Sequence, residues 1–242
     1  MHQRPAIAAI ATPVGEGGIA VIRISGADAI RIAASVFKGA SLTDVASHTV
    51  HFGKVMRDAH IVDEVLATVF RSPRSYTGED TVEISCHGGV LVSQMVLETV
   101  LAAGARSAEP GEFTQRAFLN GKLELSQAEA VADLIHAKSR KAVEAAQQQL
   151  EGALGAHIRT FRQGIIDMVA MVELELDFIE EDVEFASRDQ LLGLIAALNT
   201  EIFKLLETYE TGRLVKYGVR TVFAGKPNAG KSTLLNALMG KE

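Results

Sequence analysis

A chain of 242 residues, 48% hydrophobic and with a net charge of −6, has room for one or two domains with real cores and is too apolar for a disordered chain. The mild acidity gives no electrostatic reason to expect a nucleic-acid-binding face. The single cysteine, Cys86, excludes an intramolecular disulfide and a multi-cysteine metal site and agrees with a reducing compartment. No apolar run approaches the roughly 20 residues that cross a bilayer, and Met1-His2-Gln3-Arg4 is not followed by a signal-type apolar stretch. A cytoplasmic protein with no membrane association is expected.

Residues 6–121 mix two periodicities. Apolar strands at 6–11, 19–24, 61–70 and 82–86 alternate with helical stretches at 27–37 and 90–103, punctuated by Gly and Pro. This predicts an α/β (α+β) domain over residues 1–121. The strand Ile19-Ala20-Val21-Ile22-Arg23-Ile24-Ser25 is apolar on both faces, which suggests cover on both sides. Arg23 shares a face with Ile19 and Val21. Its guanidinium needs a carboxylate or an anionic ligand if it is covered, and reaches water if it lies near the strand end. In Thr81-Val82-Glu83-Ile84-Ser85-Cys86-His87, alternation puts Val82, Ile84 and Cys86 on one face and Glu83, Ser85 and His87 on the other. Cys86 therefore reads as core. Glu83 is a partner for Arg23, or an acceptor for a ligand bearing paired N–H donors; His87 lines a pocket or caps the next helix. The segment from Pro110-Gly111-Glu112-Phe113-Thr114 to Asn120-Gly121-Lys122 ends the domain on a turn.

Ser126-Gln127-Ala128-Glu129 has the form of a capping box, opening a long helix that runs past Val131, Leu134, Ile135 and Ala142 toward Leu150. A second stripe falls at Ile158, Phe161, Ile165, Met168, Val172 and Leu176. A third, with Ser187 and Gln190 as its box, falls at Leu191, Leu194, Leu198, Ile202, Leu205 and Tyr209. Three such helices over residues 122–215 predict a bundle with the stripes as its core. Lys138, Arg140 and Lys141 read as a solvated helix face. An acidic run from Glu173 to Glu184 could offer oxygen ligands to a hard cation, but it lacks the glycine turn and fixed spacing of a calcium loop and reads as a solvated connection.

Gly225-Lys226-Pro227-Asn228-Ala229-Gly230-Lys231-Ser232 fits G-x-x-x-x-G-K-[ST], with a predicted strand at 221–224 and a predicted helix at 232–239. Backbone N–H groups of such a turn cradle phosphates, Lys231 would reach the β/γ-phosphates, and the Ser232 hydroxyl would hold Mg²⁺. The pattern does not choose between ATP and GTP.

Several further runs stand in fixed order: Thr12-Pro13 with Gly15 and Gly17-Gly18, Arg23-Ile24-Ser25-Gly26, Tyr76-Thr77-Gly78-Glu79-Asp80, His87-Gly88-Gly89, Leu119-Asn120-Gly121-Lys122 and Gln127-Ala128-Glu129-Ala130. With the P-loop they make the chain resemble, over essentially its whole length, the MnmE (TrmE) family of tRNA-modification GTPases. The resemblance implies a folate-binding, dimerising N-terminal domain (1–121), part of a helical domain (122–215) and the start of a GTPase domain (216–242). It implies a homodimer that works on tRNA with an FAD-dependent partner, MnmG (GidA). Together they would add a C5 (carboxymethyl)aminomethyl-type group to wobble uridine, using a one-carbon unit from 5-formyl- or 5,10-methylene-tetrahydrofolate. Carried over by position, folate contacts fall on Arg23, Glu83 and Lys122. GTP contacts fall on Asn228, Ala229, Gly230, Lys231, Ser232 and Thr233, with K⁺ at Asn228 and Mg²⁺ at Ser232; no catalytic residue is assigned. The family pattern continues with switch loops, a base-reading motif, a returning helical segment and a C-terminal cysteine motif, which these 242 residues do not contain, and Cys86 is not that cysteine. Negligible GTP hydrolysis by this chain is therefore expected. The alternative function is a non-catalytic folate-binding dimerisation module.

Overall fold

The computed structural model describes residues 4–177 and 188–240. The Ser187 capping box and the acidic run at Glu180-Glu181-Asp182-Val183-Glu184 lie outside them. The chain divides into two compact units, one holding the residues up to Ala132 with Gln149–Gly155, the other Asp133–Gln148 with the residues from Ala156 onward.

The first unit is built on one seven-stranded sheet of order β3-β4-β5-β6-β2-β1-β7. Its long strands are β2 (Ile19–Ser25), β4 (Thr49–Arg57), β5 (His60–Phe70) and β6 (Thr81–His87), with β1 (Ile7–Ile10) beside β2. Two-residue strands β3 (Phe37–Lys38) and β7 (Arg106–Ser107) close the edges. Pairing is antiparallel except between β1 and β7, so within the expected α/β (α+β) class the domain is of the α+β kind. Helices α1 (Ala29–Val36) and α2 (Val90–Ala102) cover one face. There Ile22, Ile24, Ile84 and Val82 of the strands meet Ile32, Val96 and Val100 of the helices in one buried core. Cys86 belongs to that core. Burial first, and then the Asp63 carboxylate, push its thiol up to about 11.

Cover on both sides of β2 is only partial. Ala20, Ile22 and Ile24 are buried beneath α1 and α2, whereas on the opposite face Ser25 is buried at the strand end and Ile19 is 67% exposed. Strand β4, which the sequence reading passed over, joins β5 through a two-residue turn. Asp58 and Ala59 both have positive φ, 48° and 68°, the geometry that matches the twist of a hairpin. Gly53 on β4 makes room for the Phe37 ring: a Cβ there would lie 2.3 Å from Phe37 Cζ and 2.7 Å from the Lys38 carbonyl oxygen.

Helix α3 (Glu112–Leu119) follows β7. The long helix expected over 126–150 is two, α4 (Leu125–His136) and α5 (Arg140–Leu150). The break has a local cause, since the Ser139 hydroxyl accepts the Ala142 N–H at 3.1 Å and so caps a new helix start. Ser126 is likewise not the N-cap. The first helical residue is Leu125, and Gln127 reaches back to accept the Glu124 N–H at 2.8 Å, which is half of a capping box set two residues earlier than expected. The Gln127 and Gln149 side-chain amides donate to the carbonyls of Leu150 and Ser126, at 2.7 and 2.9 Å.

Helices α6 (Ala153–Asp177) and α7 (Arg188–Tyr217) form most of the second unit. Their apolar stripes are not a buried core. Phe161, Met168, Leu191, Leu198, Ile202 and Leu205 are half-buried, whereas Ile158, Ile165, Val172, Leu194 and Tyr209 are exposed. A pair of helices shields only the line along which they touch, as where Leu198 packs close over Gly164, and an apolar stripe is wider than that line. The strand expected at 221–224 is also absent. These residues make no sheet pairing among the described residues and Val222 is 87% exposed, because an extended segment becomes a strand only when a neighbour takes its N–H and C=O groups. The helix that follows, α8 (Lys231–Met239), is present.

Candidate functional site

Register across the open face of the sheet brings the first site together. Arg23 stands opposite Glu83, Glu83 opposite Thr68, and Thr68 opposite Val50; the next row is Val21, Ser85, Leu66 and Phe52. Directly opposed residues share a face, so Arg23 and Glu83 point away from α1 and α2. The pair is joined. Arg23 Nε and Nη2 both lie 2.8 Å from Glu83 Oε1, and each side chain is 26% exposed. Because both donors converge on one oxygen, Glu83 Oε2 and Arg23 Nη1 have no protein partner among the described residues.

Two aromatic rings flank the guanidinium, with centroids 5.2 Å (Tyr76) and 5.7 Å (Phe113) from Arg23 Cζ. That is within cation–π range. Tyr76 comes from the loop after β5 and Phe113 from α3, and the two are tied by a 2.8 Å hydrogen bond between Tyr76 and Thr114 hydroxyls. Below them lies a charged network. Arg116, 2% exposed, donates to Glu79 at 3.1 Å, to Glu112 at 3.0 Å and to the Pro5 carbonyl at 2.9 Å, while its Nε is buried with no partner among the described residues. Ser25 donates to Glu79 at 2.9 Å. Burial raises the Glu112 carboxyl, but hydrogen bonds from Arg106, the Glu109 amide and Arg116 outweigh it and bring the group down to about 2. The network pins α3 and the loop carrying Tyr76 against the end of β2.

Lys122 lies on the rim of this unit. Its N–H donates to the Ala117 carbonyl at 2.8 Å, and its ammonium reaches the Pro73 carbonyl at 3.4 Å. Its stem crosses Gly78, which sits at φ 78°, so that a Cβ there would come within 3.1 Å of Lys122 Cγ. Asn120 fixes the same turn through the Thr77 carbonyl at 2.8 Å. His87 neither caps α2 nor stands free: its ring Nδ1 is 2.7 Å from Asp63 Oδ1, and its N–H donates to Asp63 Oδ2 at 2.8 Å.

The P-loop residues are in the second unit. Gly230 (φ 77°) is the N-cap of α8, and Asn228 takes a positive φ of 58°. The Lys231 ammonium folds back onto the carbonyls of Gly225 and Lys226, at 3.1 and 2.8 Å. Asn228, Ala229, Ser232 and Thr233 are exposed. The N–H groups at the start of α8 point out of the first turn, where an anion finds donors and the positive end of the helix dipole. The sequence reading identified Arg23, Glu83 and the loop but not Tyr76, Phe113 or Arg116. The signal available was the i,i+4 pair Glu112–Arg116 beside Phe113, on a segment too short for its periodicity to stand out.

Residues 6–122 match the family described as GTP-binding protein TrmE N-terminus, and residues 125–238 match the MnmE helical domain. The chain belongs to the MnmE (TrmE) family. It is 52% identical over 241 residues to the tRNA modification GTPase MnmE of Chlorobium phaeobacteroides, covering 98% of this chain and 51% of that protein. It is 49% identical over 245 residues to the protein of that name from Christiangramia forsetii (100% and 52%), and 48% identical over 237 residues to that of Lactococcus lactis subsp. lactis (98% and 52%). The chain spans about half the length of these curated MnmE relatives. None of its described helices is long and apolar enough to cross a membrane.

Proposed function

We propose that this chain is the folate- and GTP-binding part of a cytoplasmic tRNA-modifying protein. With the FAD-dependent partner MnmG, that protein adds a C5 (carboxymethyl)aminomethyl-type group to wobble uridine, drawing the carbon from a tetrahydrofolate. The observation that carries the folate reading is the Arg23–Glu83 pair, whose two contacts to Oε1 leave Oε2 as an acceptor and Nη1 as a donor. A pterin edge offers paired N–H donors beside a carbonyl oxygen, which a carboxylate and a guanidinium satisfy side by side. Lys122, on the rim, suits an anionic or carbonyl oxygen of the same ligand. The exposed apolar residues Ile19, Phe52 and Leu66 on the same sheet face support dimerisation by a second copy of this domain.

In the GTP site Lys231 would exchange the Gly225 and Lys226 carbonyls for β/γ-phosphate oxygens. The hydroxyl of Ser232 and the side-chain amide oxygen of Asn228 are hard donors fitted to Mg²⁺ and K⁺ respectively. Bound there, the two cations would supply charge stabilisation to phosphoryl transfer. A second reading is a folate-binding dimerisation module without hydrolysis of its own. GTP turnover measured with K⁺ and Mg²⁺ separates the two.

Calorimetry with 5-formyltetrahydrofolate tests the folate site. The chain should bind, and Glu83→Gln should weaken binding by about tenfold or more, as expected for loss of a charged hydrogen bond, with the fold intact. No heat from folded protein, or unchanged affinity alongside a large loss of stability, would reduce Arg23–Glu83 to an internal salt bridge.

A further inference from the structure

We propose that the start of α5 and the end of α7 form a tRNA-docking surface that takes the phosphate backbone; the proposal rests on the tRNA reading above. The chain as a whole is acidic, but its charge is not evenly spread. Residues 211–240 carry five basic side chains, Arg213, Lys216, Arg220, Lys226 and Lys231, and no acidic one, and three more, Lys138, Arg140 and Lys141, fall within four residues at the α4–α5 break. The fold of the second unit brings these two stretches to one place. A hollow of about 430 Å³ is lined by Arg140 and Lys141 from α5 and by Leu214 and Gly218 from the end of α7. It adjoins a second of about 550 Å³, sharing Leu214 and Gly218 and lined also by Arg213, Tyr217 and Arg220. A third of about 430 Å³ adds Lys138 and shares Arg140.

The cations differ in their partners. Lys216 is held by Asp133 at 2.7 Å and Arg213 by Glu210 at 3.0 Å. Lys138, Arg140, Lys141 and Arg220 make no ion pair among the described residues. Four unneutralised cations along a concave path suit a polyanion whose charges repeat at regular spacing, and each phosphate neutralised would release a counterion. Tyr217, 72% exposed beside Arg220 and with the Lys216 ammonium 5.3 Å from its ring centroid, offers an exposed ring on which an unstacked base can lie, a contact that single-stranded RNA loops supply and a lipid headgroup does not.

The test is fluorescence anisotropy with a tRNA carrying uridine at the wobble position, titrated at about 50 and 200 mM salt. The proteins are the whole chain, the triple variant Lys138→Ala/Arg140→Ala/Lys141→Ala, Arg220→Ala, and Arg140→Lys/Arg220→Lys. Circular dichroism checks that each is folded. The triple variant should bind at least about tenfold more weakly and lower the salt slope by about two to three, roughly one for each phosphate contact removed, while the Arg→Lys variant stays near wild type. Tight tRNA binding that the alanine variants leave untouched overturns this surface and leaves the tRNA reading standing. Binding to anionic vesicles with none to tRNA, or no binding to either, also overturns it. The folate titration, which uses none of these residues, then judges the folate reading separately.

Discussion

Glu83 and Glu112 are both carboxylates beside arginines, and their surroundings give them different work. Glu112 is almost buried and receives hydrogen bonds from Arg106, Arg116 and the Glu109 amide, so its donors are spent on holding α3. Glu83 receives both of its donors on one oxygen and keeps the other. The depressed Glu112 value sets a pH window: its contribution to stability is complete above the unfolded value near 4.5 and is lost as the pH falls toward 2. Glu112→Gln should therefore cost about 1–3 kcal/mol at pH 7, and the gap from wild type should close between about pH 4.5 and 2 in urea titrations at stepped pH. A gap that stays constant down to pH 2 would deny the carboxylate this role. Arg23 and Glu83 were legible in the sequence because each is a lone charge within an apolar strand, and for Glu83 strand alternation also gives the polar face. Tyr76 and Phe113 were not, because a loop and a two-turn helix carry them there and no periodicity announces either.

At the level of elements, hydrophobic pattern located four of the five longer strands and both sheet-covering helices to within a few residues. It missed β4, whose alternation is interrupted by Gly53 and whose turn is Asp58-Ala59 rather than the Asn-Gly or Asp-Gly that marks a two-residue hairpin loop. Gly53 is where that strand is most specific. Gly53→Ala should destabilise the chain by about 1–3 kcal/mol through crowding against Phe37 and the Lys38 carbonyl. An unchanged urea midpoint would mean that the ring moves aside freely. The α4–α5 break shows the opposite error, in which continuing helical character concealed a local cap at Ser139. Residues 221–224 show a third, since apolar character supplies a strand's side chains but not its hydrogen-bond partners.

For the whole molecule, net charge concealed a segregation: the chain is acidic in sum, while residues 211–240 are wholly basic among their charged side chains. The sheet is likewise one-sided, with helices on one face and Ile19, Val50, Phe52 and Leu66 open on the other. If a second copy covers that face, Phe52→Asp, on a residue 66% exposed in the single chain, should shift the light-scattering mass from dimer to monomer without lowering the unfolding midpoint. A dimer that survives the substitution would move the interface elsewhere. The site on that face also has a history in time. Arg23 and Glu83 are 60 residues apart in the chain, and they meet only when β6 closes against β2, whereas β4 and β5 are joined by two residues and can zip locally. Long loops close after short ones, so in refolding the hairpin's circular dichroism should appear before any binding at the proposed folate site, and the paired Arg23–Glu83 arrangement should be among the last features of the domain to form.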